Sequence, residues 1–129
     1  MRTPVFSLLT LAVFAALALV MPPAAHAGEV ETVDVEVRAQ GNDRFAFHVT
    51  LRHGDTGWEH YANLWKVVGP DGRVLGKRVL AHPHVNEQPF TRSLSGVEIP
   101  SSISEVTIRA RDSVHGMAAR TYTVDVPHK

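Results

Sequence analysis

Five histidines, His53, His60, His82, His84 and His115, fall in three short polar stretches of the chain, and Asp112 stands three residues before the last of them. Neutral imidazole is the commonest protein ligand for first-row transition metals, and a carboxylate oxygen can complete such a set. The chemistry on offer is the holding of a metal ion. The chain contains no Cys, which excludes thiolate ligation, disulfides and CxxC redox chemistry. A thiol-free, imidazole-rich set suits copper or zinc. Met117 would add a soft ligand for Cu(I), although one thioether does not define a copper site. His82-Pro83-His84 is the most pointed local feature. Pro83 fixes its own φ and biases His82 towards an extended conformation, and residues two apart in an extended run project to one side. The two rings could share one metal, or one could bind while the other orients a neighbour. Glu87 and Arg92 are placed to pair and to orient His82 or His84, because ligating imidazoles usually give their second N–H to an acceptor.

Residues so far apart in sequence converge only if the chain between them folds back repeatedly. Period-two alternation in short segments predicts that it does. Residues 31–38 direct Val33, Val35 and Val37 one way. Residues 44–52 put Phe45, Phe47, Val49 and Leu51 on one face and Ala46, His48, Thr50 and Arg52 on the other. Further strands are expected at about 61–68 around Trp65, at 73–80, at 91–99 with a bulge at Gly96, at 105–111, and at 120–126 with Tyr122, Val124 and Val126 facing in. Gly41-Asn42-Asp43, Gly69-Pro70-Asp71-Gly72 and Pro100-Ser101-Ser102 supply turns. Seven short strands, each with one apolar face, and no helical stripe predict an all-β fold: an immunoglobulin-like antiparallel β-sandwich. Trp65 is its expected core Trp. Trp58, in a Gly-rich loop, is expected to cover the end of the core, or else to wall the site.

Strand parity then sorts the loops. If consecutive strands run in opposite directions, one end of the sandwich receives the three turns just named, which hold no His. The other end receives 53–60, 81–89 and 112–118, and with them all five histidines and Asp112. Of the remaining histidines after residue 27, His48 lies mid-strand on the polar face and His128 beside the C-terminus.

Residues 1–27 read as an export signal: Met1-Arg2-Thr3-Pro4 is a short positive start, 5–20 is an almost unbroken apolar run, and Ala25-His26-Ala27 is a small-x-small cleavage site. Cleavage after Ala27 would leave one domain, 28–129, close to the smallest size at which a single core is comfortable without staples. The apolar run is short for a bilayer span and nothing comparable follows, so no membrane association is expected after cleavage, and no Cys is present for the usual lipid anchor. The expected location is the periplasm or the exterior. Lys+Arg and Asp+Glu are balanced at 13 each, with no basic block, which argues against nucleic acid or an anionic membrane surface as partner.

Two stretches carry a family resemblance. Arg52-His53-Gly54-Asp55-Thr56-Gly57-Trp58-Glu59-His60-Tyr61-Ala62-Asn63-Leu64-Trp65 resembles the part of superoxide reductases and desulfoferrodoxin iron domains where a His, a short loop and a Glu-His-Tyr-type motif precede a strand containing Trp. Asp112-Ser113-Val114-His115-Gly116 resembles that family's Cys-Asn-x-His-Gly motif. The resemblance implies an immunoglobulin-like sandwich and a mononuclear iron, with His53, His60 and His115 as equatorial ligands and Asp112 in place of the axial cysteine. The chain departs from the family in a His53–His60 interval one residue longer, in lacking a further upstream His, and in lacking the thiolate. A carboxylate is a harder, weaker donor than that thiolate, so what carries over is a His-rich site rather than superoxide reduction, with His82 or His84 replacing the missing ligand.

His53–Gly57 together with Asn86-Glu87-Gln88-Pro89-Phe90 is also similar to the immunoglobulin-like subunit of the periplasmic Sox thiosulfate-oxidising complex, which partners a sulfur-carrier subunit. Trp58-Glu59-His60-Tyr61 with Leu80-Ala81-His82-Pro83-His84 and the 87–93 segment looks like a set of small exported bacterial proteins. The leading expectation is an exported, monomeric or weakly associating domain that binds a copper, zinc or iron ion for binding, delivery or redox work. The alternative is a protein–protein or sulfur-carrier interaction module without metal, the same loops touching a periplasmic partner or simply forming a solvated polar end. Ser93 and Ser113 lack any recognisable triad context, and no phosphate loop or HExxH motif occurs, so catalysis would have to come through a bound metal.

Overall fold

Alternation along 44–52 becomes strand in the computed structural model, which describes Ala18 and residues 28–129. Ala18 apart, the export signal and its cleavage site lie outside the described residues. Eight strands form in chain order: β1 (Glu31–Gly41), β2 (Arg44–Arg52), β3 (Ala62–Val68), β4 (Val74–Val79), β5 (Phe90–Glu98), β6 (Glu105–Asp112), β7 (Gly116–Met117) and β8 (Tyr122–Asp125). Seven correspond to the expected strands. The two-residue β7 is an addition, formed where the chain leaving β6 turns back and pairs Gly116 with Asp112. Among the described residues there is no helix.

The strands make two antiparallel sheets, β1-β2-β5 and β4-β3-β6-β7, with β8 also pairing with β6. This is the expected immunoglobulin-like sandwich. Phe45, Phe47, Val49 and Leu51 of β2 are buried together with Phe90 and Val97 of β5, and they meet Trp65 and Val67 of β3 and Val106, Ile108 and Ala110 of β6. Trp65 is fully buried, as its central-strand position requires. Tyr122 and Val124 pack against this core and Val126 is buried in it. His48 stays on the outer face with Nδ1 2.8 Å from Ser93 Oγ, while the His128 ring stands edge-on to Phe45.

Local chemistry sets the register. Asn42 and Asp43 both take positive φ, 53° and 57°, in the two-residue turn between β1 and β2, the pairing whose twist matches the flanking strands. The expected bulge lies in β5, where pairing with β2 slips between Val97 and Leu94 and Gly96 has φ 70°. A second bulge in β3 falls at Asn63, so that Ala62 pairs with Asp112 while Leu64 pairs with Arg111. Arg111 Nε donates to Asn63 Oδ1 across this irregularity at 3.0 Å. Trp58 corrects one expectation: it is 66% exposed, with its ring edge-on to Tyr61, and does not close the end of the core.

Candidate metal site

The core alternation of β2 runs one step past its end into the site, and that of β6 reaches the site at its last residue. After Phe45, Phe47, Val49 and Leu51, the next inward position is His53. After Val106, Ile108 and Ala110 it is Asp112. Both are buried, and each brings a polar group to the end of an apolar core. Burial of such groups is tolerable only when their hydrogen-bonding capacity is met.

Asp112 is held by its own loop. Its Oδ1 accepts the backbone N–H of Val114 at 2.9 Å and of His115 at 2.7 Å, an Asx-type turn that directs the His115 ring back over the carboxylate. His115 Nδ1 then lies 3.1 Å from Oδ1 and 3.3 Å from Oδ2. Burial pushes the Asp112 carboxyl up, but the N–H groups of His115 and Val114 and the His115 imidazole outweigh it and hold the group below the usual carboxylate range. The Asp112 side chain is therefore an anion at neutral pH.

His60 is presented by a tight turn in which Gly57 and His60 bridge, with Gly57 at φ 146°. That φ strains any residue with a side chain, which favours glycine there. His60 Nε2 is a buried atom without a hydrogen-bond partner, yet it lies 3.2 Å from Asp112 Oδ1. The His60 ring is flanked by the rings of His53, 4.7 Å away between centroids, and His115, 5.0 Å away.

His53 stands between two acceptors. Its Nδ1 is 2.5 Å from Asp55 Oδ1 and its Nε2 is 2.8 Å from the carbonyl oxygen of Gly28. Both ring nitrogens of His53 are thus engaged, which fixes the plane and direction of the imidazole. Asp55 is also buried, and it accepts the N–H of Ala62 on Oδ1 at 3.0 Å and that of His84 on Oδ2 at 2.7 Å. One carboxylate thus joins the loop after β2, the start of β3 and the loop before β5.

Beyond Asp55 lie the other two histidines. His84 is buried, stacked on Phe90 with ring centroids 4.0 Å apart, and its Nε2 accepts Arg92 Nη2 at 2.8 Å. Arg92 is in turn paired with Glu87 at 3.2 Å, so the expected Glu87–Arg92 pair does orient an imidazole. Burial, then the Arg92 charge and His82, lower the His84 pKa below the ordinary imidazole value, and the ring is neutral at pH 7. His82 is exposed, its ring centroid 4.6 Å from that of His84 and its Nδ1 3.1 Å from the Pro83 carbonyl.

Strand parity brings all five histidines and Asp112 to one end, as two groups. His53, His60 and Asp112 each place a donor atom within 4.8 Å of the others, and His115 adjoins them through Asp112 and His60. His82 and His84 form the second group, joined to the first through Asp55. Sequence reasoning gave no role to Asp55, Gln88 or Gly28. Gln88 bridges the loops, accepting His53 N–H on Oε1 and donating Nε2 to the His84 carbonyl. The His53-Gly54-Asp55 spacing was the available signal, since an Asx side chain two residues after a histidine can turn back on it.

No family model matches the chain, and no solved structure matches it. Among curated proteins it is similar to one from Halomicrobium mukohataei described as "Putative lipoprotein", 38% identical over 97 residues, or 75% of this chain and 47% of the relative. The chain spans about half the length of that relative.

Proposed function

We propose that this is an exported immunoglobulin-like domain that binds one transition-metal ion at the end bearing His53, His60 and Asp112, with His115 beside them. The observation that carries the reading is His60 Nε2, buried, without a hydrogen-bond partner and 3.2 Å from the Asp112 carboxylate. Two donors bound to one ion at Zn–N or Zn–O distances of ~2.0–2.1 Å in tetrahedral geometry lie about 3.3 Å apart. An Nε2 lone pair facing the carboxylate is unfavourable at that distance, and a cation held by both removes the conflict. His53, aimed with Nε2 at a carbonyl and backed by a carboxylate on Nδ1, has the second feature of a metal-ligating histidine, an acceptor holding its other nitrogen.

The donor set of imidazoles and one carboxylate suits zinc, copper or iron. The motif resemblance to superoxide reductase iron domains favours testing iron beside the other two, with Asp112 where that family has its cysteine. Holding or delivering the ion is the role proposed, ahead of turnover. Export is supported by the signal-like sequence of residues 1–27 and by the description "Putative lipoprotein" of the similar Halomicrobium protein. The test is the metal content of protein purified without chelator or affinity tag, beside a folded His60→Ala variant. Near-stoichiometric metal that is lost in the variant is the expected result; absence of tight uptake of Zn(II), Cu(II) and Fe(II) would overturn the reading.

A further inference from the structure

The residue that cleavage after Ala27 would leave first in the chain lies against the histidine cluster. The Gly28 carbonyl faces His53 Nε2 at 2.8 Å. A Cβ on Gly28 would come 2.8 Å from His115 Cε1, 3.4 Å from His115 Nε2 and 3.6 Å from His60 Cε1. The residue has φ +93°, which glycine adopts without strain. Three imidazoles therefore meet Gly28, His53 at its carbonyl oxygen and His115 and His60 at the space a Cβ would fill. Two of them have Nδ1 held by a carboxylate: His53, on Asp55, sets Nε2 against the Gly28 carbonyl, and His115, on Asp112, sets its Cε1–Nε2 edge against the residue.

The position is fixed from the other side as well. Val30 is buried in the core, and Glu29 Oε2 accepts the N–H of Ala119 at 3.1 Å. The chain is thus anchored from its second and third residues after the cut. The nitrogen and a Cβ on one tetrahedral carbon are about 2.5 Å apart, so the Gly28 nitrogen lies within about 6 Å of His115 Nε2 whichever way the residue turns. In the uncut chain that nitrogen is a peptide amide, which is a poor ligand. In the cut chain it is an amine, a nitrogen donor of the same class as imidazole.

We propose that removal of residues 1–27 completes the metal site, the newly formed α-amine of Gly28 binding the ion beside the cluster histidines. This rests on the metal-binding reading above. The amine loses a proton on coordination, as any amine ligand does, and no other bond changes. Gly28 is then required three times over: for its φ, for the missing Cβ and for the position of its nitrogen. The uncut precursor would be a weak binder, so loading would follow export.

The experiment compares three forms of the protein with Cu(II) and, separately, with Zn(II), by competition against a chelator of known affinity. One begins at Gly28 with a free amine, one has the same sequence with the amine acetylated, and one begins a residue earlier, at Ala27. The expected result is binding at least ~10-fold tighter by the free-amine form, about 1.4 kcal/mol, with the loaded amine protected from acylating reagent and N-terminal sequencing of exported protein starting at Gly28. Equally tight binding by all three, or an exported chain that starts elsewhere, overturns the amine's role and leaves the metal reading standing. Weak binding by all three overturns both.

Discussion

The two buried carboxylates of the site differ in which oxygen does the accepting, and a pair of Asp→Asn substitutions turns that difference into opposite signatures. Asp55 uses both oxygens: His53 Nδ1 and Ala62 N–H on Oδ1, His84 N–H on Oδ2. An amide has one acceptor, so in Asp55→Asn the NH2 must face at least one buried N–H. One charge-assisted bond is lost, worth ~1.5–3 kcal/mol, and one buried donor is left unmet, at ~1–3 kcal/mol. The sum is about 2.5–6 kcal/mol, and at ~4 °C or more per kcal/mol for a domain of this size Tm falls by ~10 °C or more. Asp112 differs. Val114 N–H, His115 N–H and the nearer His115 Nδ1 contact all fall on Oδ1. An amide carbonyl can keep that position and no buried backbone N–H loses its acceptor, so Asp112→Asn costs less stability than Asp55→Asn while removing the anionic ligand and weakening metal binding by ~10-fold or more. Urea unfolding in the presence of chelator gives the first quantity, and competition titration with Zn(II) gives the second. Equal stability losses in the two variants, or a loss under ~1 kcal/mol for Asp55→Asn, would refute the acceptor count on which the reasoning stands.

Zn(II) at a hundred times its Kd should stabilise the protein by about 2.7 kcal/mol, a shift that EDTA reverses and His60→Ala lacks; thermal denaturation with and without chelator checks it. His84 is held neutral against Arg92, His82, Glu87 and Asp55, and its folded pKa lies below the unfolded value. The stability this gives is complete above about pH 7 and is lost as pH falls through ~6.5, by at most ~1.4 kcal/mol per unit, and His84→Gln should flatten that part of the pH profile. Truncating exposed Trp58 to Ala should change stability by no more than ~0.5 kcal/mol, whereas Trp65→Ala, at the centre of the core, should cost about 3–5 kcal/mol in a urea titration.

Alternation and turn chemistry made the sandwich legible from sequence, because β2, β6 and the hairpin turns each satisfy a local rule that the sheets merely extend. Parity carried the same information to the loops and collected the five histidines at one end. What it could not sort was which rings share a space. His82 and His84 look alike in sequence, yet Phe90 and Arg92 capture one of them from β5, a neighbour set only by tertiary packing. Asp112 was read as a loop residue by its position after the last apolar residue of β6. It is an inward strand residue, and its burial is made tolerable by N–H groups that come only with the turn beyond it. Trp58 does not cover the core because its turn carries it outwards, against the Tyr61 ring.

Two of the three loops at the histidine end, from β2 to β3 and from β4 to β5, pass from one sheet to the other, whereas the β1–β2 and β3–β4 turns stay within a sheet. An ion held by His53, at the end of one sheet, and by Asp112, at the end of the other, would therefore be a rivet across the layers. It would close a loop of roughly 60 residues, and by the loop-entropy relation used for covalent crosslinks such a closure restricts the unfolded chain by about 4 kcal/mol. A domain pinned across its two sheets at that end should resist a pulling force that separates them until the rivet fails. Pulled chain by chain, loaded and stripped molecules would then differ in the force at which they first yield.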